Sequence, residues 1–321
     1  MRSGGRWTAA AFVAPLLVVF TLFYLWPAVV TLASSLFRWG LLRPWSVAAP
    51  EAWDFVGVDN YAGILTSARF WNAVVNTGVW LVLFPALVVG VSLAVAILVW
   101  SLPRGGGLFR AAYLVPMTIS LTAVGVIWTF VYDPDFGVLT ALTGALGLDG
   151  VLELGPLTLR AGNWLSDPGV LDLGVVRIPL VNVSLVVAGF WGFTGFGVIT
   201  LTAGLTALPQ ELVDAARVDR ASPLQVIRHV VIPSLRRPLL IVATVSFIFA
   251  LRTFDIVWVI TQGGPATDSE VLAVLLWKQA FVFLDSPQAG RATAIAIVMS
   301  VALVAAAYPY LKGLVGERGG R

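Results

Sequence analysis

A chain of 321 residues in which 59% are hydrophobic and only 12% charged cannot hide its apolar surface in a soluble core, where about a quarter of residues carry charge. Cysteine is absent, which excludes a disulfide framework, thiol catalysis and cysteine-ligated metal, and the net charge of +3 says little until its distribution is known. Repeated apolar stretches of roughly 20 residues instead mark an all-α, polytopic membrane protein, with a mean hydropathy of +0.91.

In chain order, a basic lead, Met1–Trp7, enters an apolar stretch at 8–37 that contains Pro15 and Pro27. It is too long for a secretory signal core and lacks a small-residue cleavage site, so it reads as a retained first helix. A mixed loop, Arg38–Phe70, precedes a second span at 72–100, and a short turn carrying Arg104 precedes a third at 108–132, interrupted by Pro116. Residues 133–179, rich in Gly, Pro and Asp, are not apolar enough to cross and read as an external loop of irregular or short-strand structure. A fourth span at 180–207, a polar segment at 208–238, a fifth span at 239–260 and a sixth at 292–311 complete a single transmembrane domain over 1–321.

Six spans place both termini on one side, and charge chooses the side. The termini, the 101–110 turn and the 208–238 segment hold Arg2, Arg6, Arg104, Arg110, Arg217, Arg220, Arg228, Arg236, Arg237, Lys312, Arg318 and Arg321, which is 12 of the 20 basic residues. Only Glu211, Asp214, Asp219 and Glu317 oppose them there. By the positive-inside rule that side is cytoplasmic, and 133–179 is extracytoplasmic.

Chemistry of the chain's own is hard to find. No nucleotide-binding G-x-x-x-x-G-K-[ST] occurs, since Lys278 and Lys312 are followed by Gln and Gly. The lone histidine, His229, reads as a solvated helix residue rather than a metal ligand. No catalytic residues, metal or bound cofactor are expected, and no nucleic acid partner.

The polar segment Leu208–Pro238 carries helical punctuation. Pro209 and Glu211 mark one helix start, with fixed φ and negative charge in the first turn. Ser222-Pro223-Leu224-Gln225 marks a second, with Ser222 as cap, Pro223 at the first helical position and Gln225 as capping-box partner. Two short helices with a turn near Asp219–Ala221 follow, either an ordinary solvated loop or a surface built to be gripped. Within the spans, Ser246, Phe249, Ala250 and Thr253 fall at i, i+3, i+4 and i+7, one helical stripe that suits helix packing or ligand contact. Arg252 and Asp255 share that span, as an interfacial pair or as part of a pathway. Phe190–Phe196 alternates rings with glycines, which allow close backbone approach or a broken helix lining a cavity.

Four segments resemble the transmembrane subunits of binding-protein-dependent ABC importers, in the carbohydrate branch of the maltose and glycerol-phosphate permeases. They are Phe55–Tyr61 with Phe70-Trp71 and Asn76-Thr77; Phe109-Arg110 through Pro116 to Trp128; Asp214-Ala215-Ala216 with Asp219, Ala221-Ser222 and Ile232-Pro233, similar to the EAA signature; and Phe254–Val257 with Thr261–Pro265. The resemblance implies the type I importer permease fold and a pair of coupling helices that dock on an ATP-hydrolysing subunit. Leu212, Ala215, Ala216, Leu224 and Ile227 would be the apolar anchors, with Asp214, Asp219, Arg220, Ala221 and Ser222 completing the docking loop. Asp214 stands where the family has Glu. Arg220 stands where it has Gly; if that turn needs positive φ, arginine costs about 1–2 kcal/mol, and otherwise the turn is right-handed here.

The resemblance also implies partners: a second permease subunit, two ATP-binding subunits where ATP and Mg act, an extracytoplasmic sugar-binding protein and membrane lipid, all at a bacterial or archaeal inner membrane. Positions matching the sugar contacts of the maltose-type permease are Trp191, Gly192, Phe193 and Phe196, then Ser246, Phe249, Ala250 and Thr253. Ala250 replaces an expected amide. The expected cargo is a di- or oligosaccharide such as an α-glucoside. The alternatives are a non-sugar solute such as a glycerol phosphodiester, or an ion-coupled secondary transporter with Asp255 as its only candidate carboxylate.

Overall fold

The computed structural model describes residues 4–40, 42, 45, 54–101, 106–147, 150–154, 156–160, 162–167, 169–174, 177–283 and 288–316. Arg2, Arg104, Glu317, Arg318 and Arg321, which entered the charge argument above, lie outside them, as do the side chains of Arg6, Arg110 and Lys312. The chain forms two compact units, 1–70 with 275–302 and 71–274 with 303–321.

In the first unit, helix α1 (Gly4–Phe20) continues through a π-turn at Thr21–Leu25 into α2 (Trp26–Ser34). Pro27 lacks the N–H that would bond four residues back, and the ladder widens just before it. Strands β1 (Phe37–Arg38) and β2 (Asp54–Phe55) pair antiparallel, joined by an Arg38–Asp54 ion pair at 3.4 Å. Gly57 then turns at φ +57°, and α3 (Asp59–Leu65) begins on an acidic first residue. Asn60 donates to the carbonyls of Ser35 and Phe37 at 2.8 and 2.9 Å, so the Phe55–Tyr61 motif staples α3 to the end of α2.

The second unit is built around two long helices, α4 (Ala68–Ser101) and α8 (Val181–Thr206). Between them come α5 (Gly106–Thr118), α6 (Leu121–Val131) and α7 (Val138–Ala145). An antiparallel meander then follows, β3 (Val151–Leu154), β4 (Leu157–Arg160), β5 (Gly169–Asp172) and β6 (Arg177–Pro179). After α8 come α9 (Gln210–Val218), α10 (Pro223–Val226), a π-turn at Ile227–Val231 ahead of Pro233, and α11 (Ile232–Ser234). Next are α12 (Arg236–Leu251) and α13 (Asp255–Ile260); α14 (Leu272–Trp277) begins in this unit and α15 (Ala289–Gly316) ends in it, with 275–302 belonging to the first.

The core of this unit is a helical stripe on α4, with Trp80, Phe84 and Val88 one turn apart and fully buried against Leu185, Ala188 and Leu201 of α8 and Val124 of α6. Close approach depends on glycine. A Cβ at Gly197 would lie 2.2 Å from the Ser92 hydroxyl oxygen, and one at Gly195 would lie 2.4 Å from the Tyr113 carbonyl oxygen. In the Phe190–Phe196 stretch the glycines therefore serve packing, and α8 runs through it unbroken.

Two stretches read as single spans are each two helices. At 108–132 the chain bends by 112° between α5 and α6. Pro116, expected to interrupt, lies inside α5; the break comes at Ser120, whose extended backbone lets its hydroxyl cap the Ala123 N–H at 3.2 Å. At 239–260, α12 ends at Leu251 and α13 restarts at Asp255. Among the described residues, three unbroken helices are long and apolar enough to cross a membrane, and two bent pairs, α5 with α6 and Pro223–Ser234 with α12, raise that to five; the stretch 292–311 falls inside α15.

Asn76 and Thr77 hold the loop that follows α13. Asn76 donates to the carbonyls of Thr267 and Glu270 at 3.2 and 3.0 Å, Thr77 accepts the Leu272 N–H at 3.0 Å, and Asn182 donates to Asn76 and to the Asp268 carbonyl. Three helices, α4, α8 and α14, thus share one buried polar network at the level of a loop that contains a cis Gly264–Pro265 bond. Two of the motif segments quoted from sequence meet there.

Candidate functional site

The 208–238 segment is shaped by local hydrogen bonds. Pro209 is the N-cap of α9 and Glu211 sits in its first turn. The helix closes with the Ala221 N–H on the Ala216 carbonyl and the Arg220 N–H on the Arg217 carbonyl, both at 3.0 Å. That is the Schellman pattern, which places its C′ residue in the left-handed region. Here C′ is Arg220, with φ +60°. The turn keeps its glycine geometry with arginine in it, a strain of about 1–2 kcal/mol. One residue on, Ser222 accepts from the Gln225 N–H at 3.4 Å while the Gln225 side chain accepts from the Ser222 N–H at 2.7 Å, the expected capping box.

Val213, Val226, Val231 and Leu235 anchor this helix pair to its own unit, each buried. Of the anchors read from sequence, Leu212, Ala215 and Leu224 face outward, whereas Ala216, Ala221 and Ile227 are half-buried at the edge of the core. Val218, 82% exposed, belongs with the outward group and was not in the expected set. Asp214 pairs with Arg217 at 3.3 Å on the same exposed face, beside Asp219 and Arg220. A ridge of exposed Leu and Val ringed by charge is suited to a groove on another protein.

The second site lies at the break in the fifth stretch. Arg252 (φ −99°) and Phe254 (φ −136°) leave the helix without a glycine or proline, and the Arg252 backbone N–H donates to the Ile248 and Phe249 carbonyls. Beside the break is a cavity of about 320 Å³ lined by Phe193, Phe249, Arg252, Thr253, Phe254 and Asp255, among others. Phe249 stacks on Phe84 with centroids 4.8 Å apart and packs on Phe193 at the same distance, so its ring is held by two neighbours.

Three residues of the eight in the expected contact set, Phe193, Phe249 and Thr253, meet at this cavity. Phe196 packs on Phe193 from behind at 5.5 Å. Ser246 and Ala250 are fully buried in the core, the Ser246 hydroxyl donating to the Val242 carbonyl at 2.6 Å. Gly192 faces Val124, and Trp191 stands apart, edge-on to Trp128 at 6.2 Å. The stripe of four therefore divides, because Thr253 has left the helix and only Phe249 and Thr253 reach the cavity. Arg252 and Asp255, read as an interfacial pair or a pathway element, stand on the cavity wall, one charge of each sign. Their placement as intramembrane ionisable residues was the signal that could have put them in the contact set.

A family model described as "Binding-protein-dependent transport system inner membrane component" matches residues 86–318. The osmoprotective compounds uptake permease protein GgtC of Synechocystis sp. is 31% identical over 78% of this chain and 82% of its own. The alpha-glucoside transport system permease protein AglF of Rhizobium meliloti is 29% identical over 96% of this chain and 83% of its own. In fold, the chain matches one in the crystal structure of a bacterial ABC transporter that imports the acidic polysaccharide alginate, with TM-score 0.70 and 17% identity over 98% of this chain and 96% of that one.

Proposed function

The chain belongs to the binding-protein-dependent transport system inner membrane component family, and from that premise we propose that it is the permease of an ATP-driven sugar importer, carrying a di- or oligosaccharide of the α-glucoside kind. The observation that carries the sugar reading is the cavity at the 252–254 break, where two rings in contact, Phe193 and Phe249, tilted by 41°, stand beside Thr253, Arg252 and Asp255. Flat apolar rings suit the C–H faces of a sugar, and the flanking polar groups suit its hydroxyls. The chain's likeness to the alpha-glucoside permease AglF supports the same cargo.

In this reading a second, different permease subunit completes the pathway, and an extracytoplasmic binding protein delivers the sugar. Two ATP-binding subunits hydrolyse ATP with Mg, and α9 and α10 dock on one of them with both termini on the cytoplasmic side. ATP-driven closure moves the docked helices, and they transmit the motion through α8 and α12, the two helices that flank the loop. This chain does no covalent chemistry; it offers differential contacts to two states of the pathway.

The test is ATPase activity of the reconstituted complex, with its binding protein, across a panel of solutes. Stimulation by α-glucosides is expected. Stimulation by a glycerol phosphodiester alone would move the assignment to the second reading, which rests on the Arg252 guanidinium at the cavity. Uptake that survives ATP depletion and is lost in Asp255→Asn would instead indicate an ion-coupled carrier.

A further inference from the structure

We propose that the groove between α5 and α8, at the end of α8 that leads into the 208–238 loop, binds one acyl chain of a membrane phospholipid, with the Thr202 hydroxyl donating to the lipid's ester carbonyl. The groove holds a cavity of about 320 Å³ that shares no lining residue with the one at the helix break. Its walls include Leu114, Val198, Ile199 and Ala203, and no charged side chain lines it.

The hydroxyl is what distinguishes this cavity from a packing gap. Helix α8 carries four threonines in all, and three of them satisfy their hydroxyls on their own helix: Thr194 on the Phe190 carbonyl at 2.5 Å, Thr200 on Phe196 at 2.8 Å and Thr206 on Ala203 at 2.8 Å. Thr202 does not. The residue is 6% exposed, its hydroxyl is buried without a hydrogen-bond partner, and it stands on the cavity wall. In a membrane, threonine ordinarily closes this bond on its helix or on a neighbour, so an open donor beside an apolar cavity is matched by a ligand with an apolar body and a neutral acceptor.

Depth selects the source of that acceptor. The 26 residues of α8 span roughly 39 Å at about 1.5 Å per residue, against a hydrocarbon core of about 30 Å. Centred, the helix projects about 4–5 Å beyond the core at each end, and Thr202 lies four residues, about 6 Å, inside the last helical position. The hydroxyl therefore sits at the edge of the hydrocarbon, the level at which lipid chains join their ester groups. A sugar in the same cavity would leave most of its hydroxyls against Leu, Val and Ile.

The complete importer, reconstituted in bilayers with phosphatidylethanolamine carrying a diazirine in one acyl chain, tests this after irradiation and peptide mapping. Labelling concentrated on 113–114 and 198–206 is expected. It should fall roughly fivefold in Thr202→Val, the effect of one lost hydrogen bond, persist in Thr202→Ser, and vanish in Ile199→Trp, where the new ring fills the cavity. Should Thr202→Val fail to assemble, the Thr202→Ser and Ile199→Trp pair carries the comparison. Equal labelling in wild type and either Thr202→Val or Ile199→Trp overturns the proposal. So does displacement of the label by a transported solute, or an Ala203→Cys crosslink to the second permease subunit.

Discussion

The turn between α9 and α10 and the break between α12 and α13 are both places where a helix stops and another begins within four residues. They arise from opposite causes. At Asp219–Ser222 every device is local: a Schellman closure, an N-cap serine, a proline at the first helical position and a glutamine reaching back. At Arg252–Phe254 there is neither glycine nor proline nor cap, and the residues around it, Ala250, Leu251, Ile256 and Val257, are buried at 0–3%. Packing imposes that break. An exposed loop must hold its shape unaided, so its geometry is written in its own sequence. A cavity inside a bundle can borrow its geometry from the neighbours that enclose it.

This contrast can be broken by perturbing each side. The largest effect is expected on the packed side: Gly197→Val places a Cβ 2.2 Å from the Ser92 hydroxyl oxygen and should destabilise by about 3 kcal/mol or more, read as a lower thermal midpoint and loss of monodisperse protein. Phe249→Ala removes the ring that stacks on Phe84 and packs, tilted, on Phe193. A loss of about 3 kcal/mol should appear in stability and as a raised half-saturation for uptake, and unchanged uptake would remove Phe249 from the contact set. On the exposed side, Asp214→Lys should leave the fold and insertion intact and lower transport on the order of tenfold at preserved ATPase activity; full transport would mean that Asp214 makes no required contact.

The two smallest effects sharpen the local side. Ser222→Ala should cost about 1 kcal/mol by opening the capping box. Arg220→Gly should act in the opposite direction, raising stability by about 1 kcal/mol as the left-handed position at φ +60° is relieved. Loss of transport in Arg220→Gly at higher stability would show that the guanidinium works at the docking interface, and that the strain is retained for it.

Much of the exposed loop was legible. Ser222, Pro223 and Gln225 stand in the roles their spacing dictates, and Arg220 occupies the position that sequence singled out by the residue it replaces. The cavity was legible in part. Phe193, Phe249 and Thr253 reach it, but Ser246 and Ala250 follow their helix into the core, and Arg252 and Asp255 take their places on the wall. A stripe at i, i+3, i+4 and i+7 assumes an unbroken helix, and Leu251–Asp255 holds no glycine or proline to end it, only Asp255 in the first turn of the helix that follows.

What the sequence by itself determined is the membrane class, the positions of the apolar stretches and the hydrogen-bonded caps of the 208–238 loop. Each of these depends on residue type and on partners a few positions away. What only the tertiary structure decided is where apolar stretches break, which face of α12 lines the cavity and which hydroxyl of α8 is left open. Those outcomes depend on atoms contributed by α4, α5 and α6, and chain-local hydrogen bonding does not encode how closely distant helices pass.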